Sequence, residues 1–408
     1  MFRLRLRRSD DKNGSICYGL NNCRRRTFAS AAAARNDMRR ILVTGGAGFI
    51  GSNFVRFWSR RHLQDRLVCL DKLTYAGNLE NLKEIDLHVS HRFVRGDICD
   101  SALVGRLFHE ERIDTVVHFA AESHVDRSIL GPEEFIRTNI HGTFTLLEAA
   151  RCQWGLERAG VRTGAPDEAE VDRRFLHVST DEVYGSLGSD DHPCVEGAPY
   201  APRSPYSASK AAADHLANAY HHTFNLPLLI TNCSNNYGPY QFPEKLIPLA
   251  IQRATQGKPI PIYGEGKNVR DWIYVEDHCA ALEAVLERGR IGETYNIGGG
   301  NQWRNLDLVK LICDQIDARL GSDRYPRRSL IELVQDRPGH DLRYAMNTSK
   351  IRRELGWKPS EHVESGVMKT IDWYLEHKPW VERVMSGEYQ NYFQAQYGSR
   401  LSTGGDKP

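Results

Sequence analysis

Two groups of side chains in this chain are equipped to move protons: a hydroxyl beside two carboxylates, and a tyrosine four residues ahead of a lysine. The first lies in Phe175 to Tyr184, which reads Phe-Leu-His-Val-Ser-Thr-Asp-Glu-Val-Tyr. Its apolar, β-branched first half suits a buried strand of a parallel sheet. Thr180, Asp181 and Glu182 come where that strand must end, and ligands of open α/β sheets sit just outside the carboxyl ends of strands. Neighbouring strand residues face opposite sides, so Asp181 and Glu182 reach one ligand together only if the backbone already turns there. Ser-Thr-Asp-Glu is also good chemistry for the first turn of a helix, and the two roles are compatible. Adjacent acids whose pKa values are pushed apart by their surroundings can serve as base and acid in one reaction.

The second group is Tyr206-Ser-Ala-Ser-Lys210, which puts a phenol and an ammonium on one helix face. A free tyrosine, with a pKa of about 10, is a poor base at neutral pH. A neighbouring ammonium and a positively charged cofactor ring both favour the phenolate. It can then take a proton from a hydroxyl while hydride departs. Alone, the pair reads better as a helix-surface contact with the tyrosine as filler. A third feature changes that balance. Gly45-x-x-Gly48-x-x-Gly51 stands between a strand and a helix, where it can hold a pyrophosphate against the helix N-terminus. Asp71 follows Gly48 by 23 residues at the end of the next strand, where a carboxylate binds both ribose hydroxyls and repels a 2′-phosphate. NAD is therefore expected rather than NADP. Asp97-Ile98 ends a third strand and can frame the adenine.

These groups need a scaffold, and the pattern around them supplies one. Arg40 to Thr44, Leu67 to Leu70, Phe93-Val94 and Thr115 to Ala121 read as strands, with a helix over Thr138 to Cys152. The strand from Phe175, a helix from Tyr206 to Phe224 and a strand over Leu226 to Asn232 follow. Repeated β-α units of this length predict a doubly wound parallel sheet, a Rossmann fold of the α/β class. Beyond Cys233, Gly, Pro, Asn and Tyr become dense through Gly266 and no regular element is clear. A helix over Val275 to Arg288 and a strand at Thr294 to Ile297 return to the first style. The expected division is a dinucleotide-binding domain over 39–232 plus about 267–297, and a smaller α+β substrate domain over 233–266 plus about 298–397. Residues 398–408 read as a frayed tail.

Composition narrows the class. With 40% hydrophobic and 26% charged residues, the chain is ordinary for a globular protein. No apolar run approaches the roughly 18–20 residues that span a bilayer, so no membrane helix is expected. Residues 1–40 hold ten Arg and Lys12 against three Asp, a net of +8. The whole chain carries +2, so the remaining 368 residues carry −6 and offer no footprint for nucleic acid. Residues 1–38 read as a disordered extension, or else as a targeting segment for an organelle; without such targeting a cytoplasmic location is expected. Nine cysteines without a paired spacing fit reduced, buried thiols. His221-His222 lacks a third ligand at usable spacing, so no metal site is expected.

Thr44-Gly-Gly-Ala-Gly-Phe-Ile-Gly51, Tyr206-x-x-x-Lys210 and Ser179-Thr-Asp-Glu-Val-Tyr-Gly185 together resemble the extended short-chain dehydrogenases. Within their nucleotide-sugar subgroup the chain is similar to the dTDP-glucose 4,6-dehydratases from about Arg39 to Leu375. Further matching stretches are Asp71 to Asn78, His118 to Ser128, Thr231 to Pro248, Asn268 to Trp272 and Asp336 to Asp341. The acid pair is the specific part, since sister epimerases and decarboxylases lack it. The resemblance implies that Tyr206 oxidises the sugar 4-hydroxyl with Thr180 hydrogen-bonding near it. It also implies that Glu182 removes the proton at carbon 5, that Asp181 protonates the leaving 6-hydroxyl, and that hydride returns to carbon 6. It implies an NAD site of Gly45, Gly48, Phe49, Ile50, Gly51, Asp71, Lys72, Asp97, Ile98, Ala120, Tyr206 and Lys210. Lys245, Arg270, Arg337 and His340 are cations suited to a diphosphate. The family pattern adds Asn235, Leu246, Pro261, Tyr263 and Asn305 around the nucleotide-sugar, and implies a homodimer pairing the Tyr206 helix with the Thr138 helix. UDP-glucose as substrate, an epimerase or decarboxylase activity, and a non-catalytic NAD-sensing module are the competing readings.

Overall fold

The computed structural model describes residues 38–83, 85, 90–156, 172–321 and 325–385. The expected N-terminal extension, up to residue 37, and the expected tail lie outside them. The chain begins β1 (Arg40–Thr44), α1 (Phe49–Arg61), β2 (Arg66–Asp71), β3 (His91–Arg95), α2 (Ser101–Glu110) and β4 (Thr115–His118). Next come α3 (Val125–Leu130), α4 (Glu133–Phe135), a π-helical stretch Ile136–Gly142 and α5 (Thr143–Gln153). Then follow β5 (Arg174–Thr180), α6 (Pro205–Phe224), β6 (Leu228–Cys233), β7 (Asn235–Tyr237), α7 (Leu246–Thr255), β8 (Ile260–Tyr263) and β9 (Val269–Tyr274). The last elements are α8 (Val275–Arg288), β10 (Thr294–Ile297), β11 (Gln302–Arg304), α9 (Asn305–Leu320), β12 (Ile331–Val334), α10 (Ser349–Leu355), α11 (Val363–Glu376) and α12 (Lys378–Val384).

Seven strands form one parallel sheet in the order β10-β6-β5-β4-β1-β2-β3. Its central strands β1, β2, β4 and β5 are largely buried on both faces because both are covered. Ile41 and Val43 pack with Phe54 and Trp58 of α1 and Leu282 of α8, whereas Leu42 between them packs with Leu107 of α2, Leu147 of α5 and Ala217 of α6. The expected doubly wound Rossmann fold is what forms. The strand order reverses between β1 and β4, which opens a crevice at the carboxyl ends of those strands.

Three expectations about elements need correcting. β4 stops at His118 rather than Ala121, because β1 beside it ends at Thr44. The chain then leaves the sheet, with the Phe119 N–H on the Thr44 carbonyl and the Ala120 N–H on the Thr44 hydroxyl. The region thought irregular contains α7, which carries Pro248 in its first turn, where a missing N–H leaves no hydrogen bond unmade. Finally, β9 pairs with β11 and β7 in a three-stranded sheet, so the return to the large sheet comes at α8 rather than at about 267. A second apolar core lies under these smaller sheets, with Ile251 of α7, Ile262 of β8, Trp272 of β9, Ile312 of α9 and Val367 of α11. Among the described residues no helix is long and apolar enough to cross a membrane.

Candidate active site

The glycine loop is shaped by what its missing side chains would strike. Gly45 has φ +70° and a Cβ there would lie 2.7 Å from the Ala120 nitrogen. A Cβ on Gly51 would run into the Gly45 carbonyl oxygen, so α1 can follow β1 this closely only with glycine there. Gly48 is the N-cap of α1, and neither a capping side chain nor an acidic residue occupies the first turn. The N–H groups of that turn therefore face the cavity ready for an anion. Gly51→Ala is expected to destabilise the fold by about 1–3 kcal/mol through forced backbone movement. It should also lower dinucleotide retention, with melting temperature and bound-nucleotide content as the measurements.

Asp71 frames the same loop. Its Oδ2 accepts the Ala47 N–H (3.0 Å) and its Oδ1 the Leu73 N–H (2.8 Å). Burial raises its pKa, and these two bonds hold it back. Lys72 pairs with Asp97 at 3.0 Å. Burial works against the Asp97 charge, but the hydrogen bonds from Cys99 and Lys72 outweigh it and hold the carboxyl below its usual range.

At the other end, β5 delivers Thr180 and the backbone turns at once into a 3-10 helix over Asp181–Tyr184, the bend that two carboxylates on one ligand require. The Thr180 hydroxyl caps it, accepting the Glu182 N–H and donating to Asp181 Oδ1, both at 3.3 Å. Asp181 is 3% exposed, and its Oδ2 is buried with no partner among the described residues. Burial first, then the Glu182 and Asp271 charges, push its pKa well above the carboxylate range. Glu182 is also raised by burial, but Arg337, Arg270 and Lys245 oppose the shift. Both acids are therefore raised by burial; Arg270 opposes the rise at each, Arg337 and Lys245 join it only at Glu182, and the Asp341 charge adds to the rise there.

The helix bearing Tyr206 is set by local rules. Ser204 and Ser207 form a capping box, Pro205 starts α6, and Asn225 ends it in the left-handed region. Its inner face is held by Asp214, which accepts from Ser179 Oγ (2.8 Å) and Tyr200 (3.0 Å) and meets His177 Nε2 at 3.0 Å. Burial, then Glu182, raise the Tyr206 phenol well above 10, and a Thr180 hydrogen bond pulls it back. Lys210 Nζ donates to the Val178 carbonyl at 2.9 Å, and burial lowers its pKa. The sequence assigned the phenolate-favouring charge to this ammonium and to a positively charged cofactor ring; the hydrogen bond of the ammonium goes to the backbone of β5.

A cavity of about 300 Å³ joins these parts. Every expected dinucleotide residue lines it: Gly45, Gly48, Phe49, Ile50, Gly51, Asp71, Lys72, Asp97, Ile98, Ala120, Tyr206 and Lys210. So do Thr180, Asp181 and Glu182, and of the substrate set Asn235 and Lys245. The others lie on the second region: Leu246 opens α7, Pro261 and Tyr263 are on β8, Arg270 is on β9, Asn305 opens α9, and Arg337 and His340 follow β12. Arg270 is buried, donates to the Asp341 carbonyl (2.9 Å) and stands 4.3 Å over the Tyr344 ring. Buried Asn235 Oδ1, Asn305 Oδ1 and Arg337 Nε have no partner among the described residues, which marks them as groups that a polar ligand would satisfy. Burial, then Arg337 and Arg270, push the His340 imidazole down to about 4, against the Asp336 carboxylate 2.6 Å from its Nδ1. Sequence reasoning did not single out Glu244, which lines the cavity and is raised by burial to about 7, or Asp126. Both stood inside stretches quoted for the resemblance, but neither has a periodicity that would mark it out.

A glycine turn at the switch point of a Rossmann sheet, a Tyr-Lys pair on the adjoining helix and an acid pair at the end of β5 define a short-chain dehydrogenase of the extended kind. The family described as GDP-mannose 4,6 dehydratase matches residues 42–370. The dTDP-glucose 4,6-dehydratase of Xanthomonas campestris is 55% identical over 350 residues, 86% of this chain and 97% of that protein. The dTDP-glucose 4,6-dehydratase of Streptomyces venezuelae, solved with NAD bound, matches with a TM-score of 0.75 and 46% identity over 85% of this chain and 99% of that one. UDP-glucose 4-epimerase of Thermotoga maritima reaches 0.70 at 28% identity, over 83% and 99%. This chain belongs to the dTDP-glucose 4,6-dehydratase family.

Proposed function

We propose that this protein dehydrates dTDP-glucose to dTDP-4-keto-6-deoxyglucose with NAD as cofactor. The observation that carries the reading is that Asp181 and Glu182, on the turn after β5, line one cavity with Thr180, Tyr206 and the dinucleotide residues. Bound NAD supplies the hydride acceptor for the first step and the donor for the last. Tyr206 takes the proton of the 4-hydroxyl, and the Thr180 hydroxyl steadies the phenolate. The resulting carbonyl acidifies the proton on carbon 5, which Glu182 removes as its carboxylate. Asp181, kept protonated, gives its proton to the 6-hydroxyl and water departs. Arg270, Arg337 and Lys245 serve the diphosphate, with Asn235, Leu246, Pro261, Tyr263, Asn305 and His340 around the rest of the nucleotide-sugar. The division into a dinucleotide domain and a substrate domain is supported by the apolar clusters, two on the faces of the large sheet and one under the smaller sheets. Exposed Ile129 and Leu130 at the end of α3, Ile136 just before α5 and Phe144 on α5 support a homodimer that covers α5 and α6.

Turnover of dTDP-glucose and UDP-glucose side by side tests the reading. A keto product absorbing in base, with loss of water by mass and no net reduced nicotinamide, is expected from dTDP-glucose. Reduced nicotinamide accumulating without keto product, or product of unchanged mass, would overturn it. The rate should follow a bell-shaped pH curve. It falls on the acid side as Glu182 takes a proton, at a pH above that of an ordinary carboxylate, and on the alkaline side as Asp181 loses its own. Apparent values belong to the coupled pair. Asp181→Asn should be slower and lack the alkaline limb; an unchanged limb assigns it to another group.

A further inference from the structure

The short helix α3 leaves the large sheet just after β4 and carries Asp126, 5% exposed, toward the second region. Its Oδ1 accepts from Arg337 Nη1 at 2.8 Å and its Oδ2 from the Tyr263 hydroxyl at 3.0 Å. Neighbouring residues make further contacts to the second region. The Ser123 carbonyl accepts from Lys245 Nζ at 3.0 Å, and Arg127 stands 3.5 Å from the Glu244 carboxylate. One strip of the sheet region therefore meets Arg337, Tyr263, Lys245 and Glu244, from β8, the residues just before α7 and the loop after β12.

We propose that Asp126 is the positioning residue for the nucleoside diphosphate: it fixes Arg337 and Tyr263 before the ligand arrives, leaving the Arg337 Nε–H for a phosphate oxygen. This rests on the nucleotide-sugar reading above. A carboxylate bridging two donors from separate segments removes the freedom that a long guanidinium arm would otherwise lose on binding. It uses only one edge of the fork, and the buried Nε–H has no partner among the described residues. Asp126 lies outside the proton-transfer groups, so it acts through Arg337 and Tyr263 rather than on the sugar.

The test is Asp126→Asn, Asp126→Ala and Asp126→Glu, with dTDP binding by calorimetry and steady-state turnover of dTDP-glucose. Asn and Ala are expected to raise KM and the dTDP dissociation constant together, by about tenfold or more. Their kcat should stay within about threefold and bound NAD should be unchanged, while Glu recovers part of the affinity. Tighter dTDP binding would mean that Asp126 competes with phosphate for Arg337, and it overturns the proposal. A loss confined to kcat, or no change, also overturns it. If the Asp126 variants fail to melt cooperatively, Tyr263→Phe decides, with a smaller rise in KM expected and an unchanged KM refuting. Wild type that neither binds dTDP nor turns over its glucose conjugate would sink the parent reading instead.

Discussion

Glu182→Gln is expected to oxidise sugar once and stop, leaving reduced nicotinamide in the protein and almost no keto-deoxy product. The carboxylate has one task, removal of the carbon-5 proton, and an amide of the same size cannot do it. Loss of a positioned general base lowers kcat by about 10²–10⁴-fold, or about 3–5 kcal/mol of barrier. The turn itself should survive, because Thr180 caps it through the backbone N–H of residue 182 rather than through the side chain. Rapid mixing, following the absorbance of reduced nicotinamide, is the measurement. Wild-type turnover in the variant would remove Glu182 from the role of base.

Tyr206→Phe should fail one step earlier, with a loss of the same order or larger and no reduced nicotinamide at any time. The ring is buried edge-on to Phe135, with centroids 6.3 Å apart, so phenylalanine keeps the packing while the hydroxyl is lost. NAD content and melting temperature should match wild type. The contrast between the two variants is the informative part, since a general structural defect would not separate oxidation from elimination. A reduced-nicotinamide transient at the wild-type rate in Tyr206→Phe would show that another group takes the hydroxyl proton.

Much of the scaffold was legible because its signals are local. The strand runs, the glycine turn at Gly45 to Gly51 and the helix opening at Tyr206 follow from periodicity, capping and backbone freedom. The turn at Asp181 followed conditionally, as two successive strand residues can share a ligand only if the backbone already bends there. The misjudged segments are those whose fate depends on distant partners. β4 ends early because β1 does, and Val269–Tyr274 joins β7 and β11 because those strands lie nearest it in space. α7 was hidden by a proline that only its place in the first turn makes harmless.

The site divides along the same line. The amino-acid order by itself determined which chemical groups are present and that a phenol, a lysine and two carboxyls reach one crevice of a parallel sheet. Only the tertiary structure decided how those groups differ. Asp271 on β9 raises Asp181, Arg270 opposes the rise at both acids, and Arg337 and Lys245 oppose it at Glu182. Burial likewise lowers the His340 pKa. A pKa depends on every charge and dipole around a group, and those arrive from positions far away along the chain.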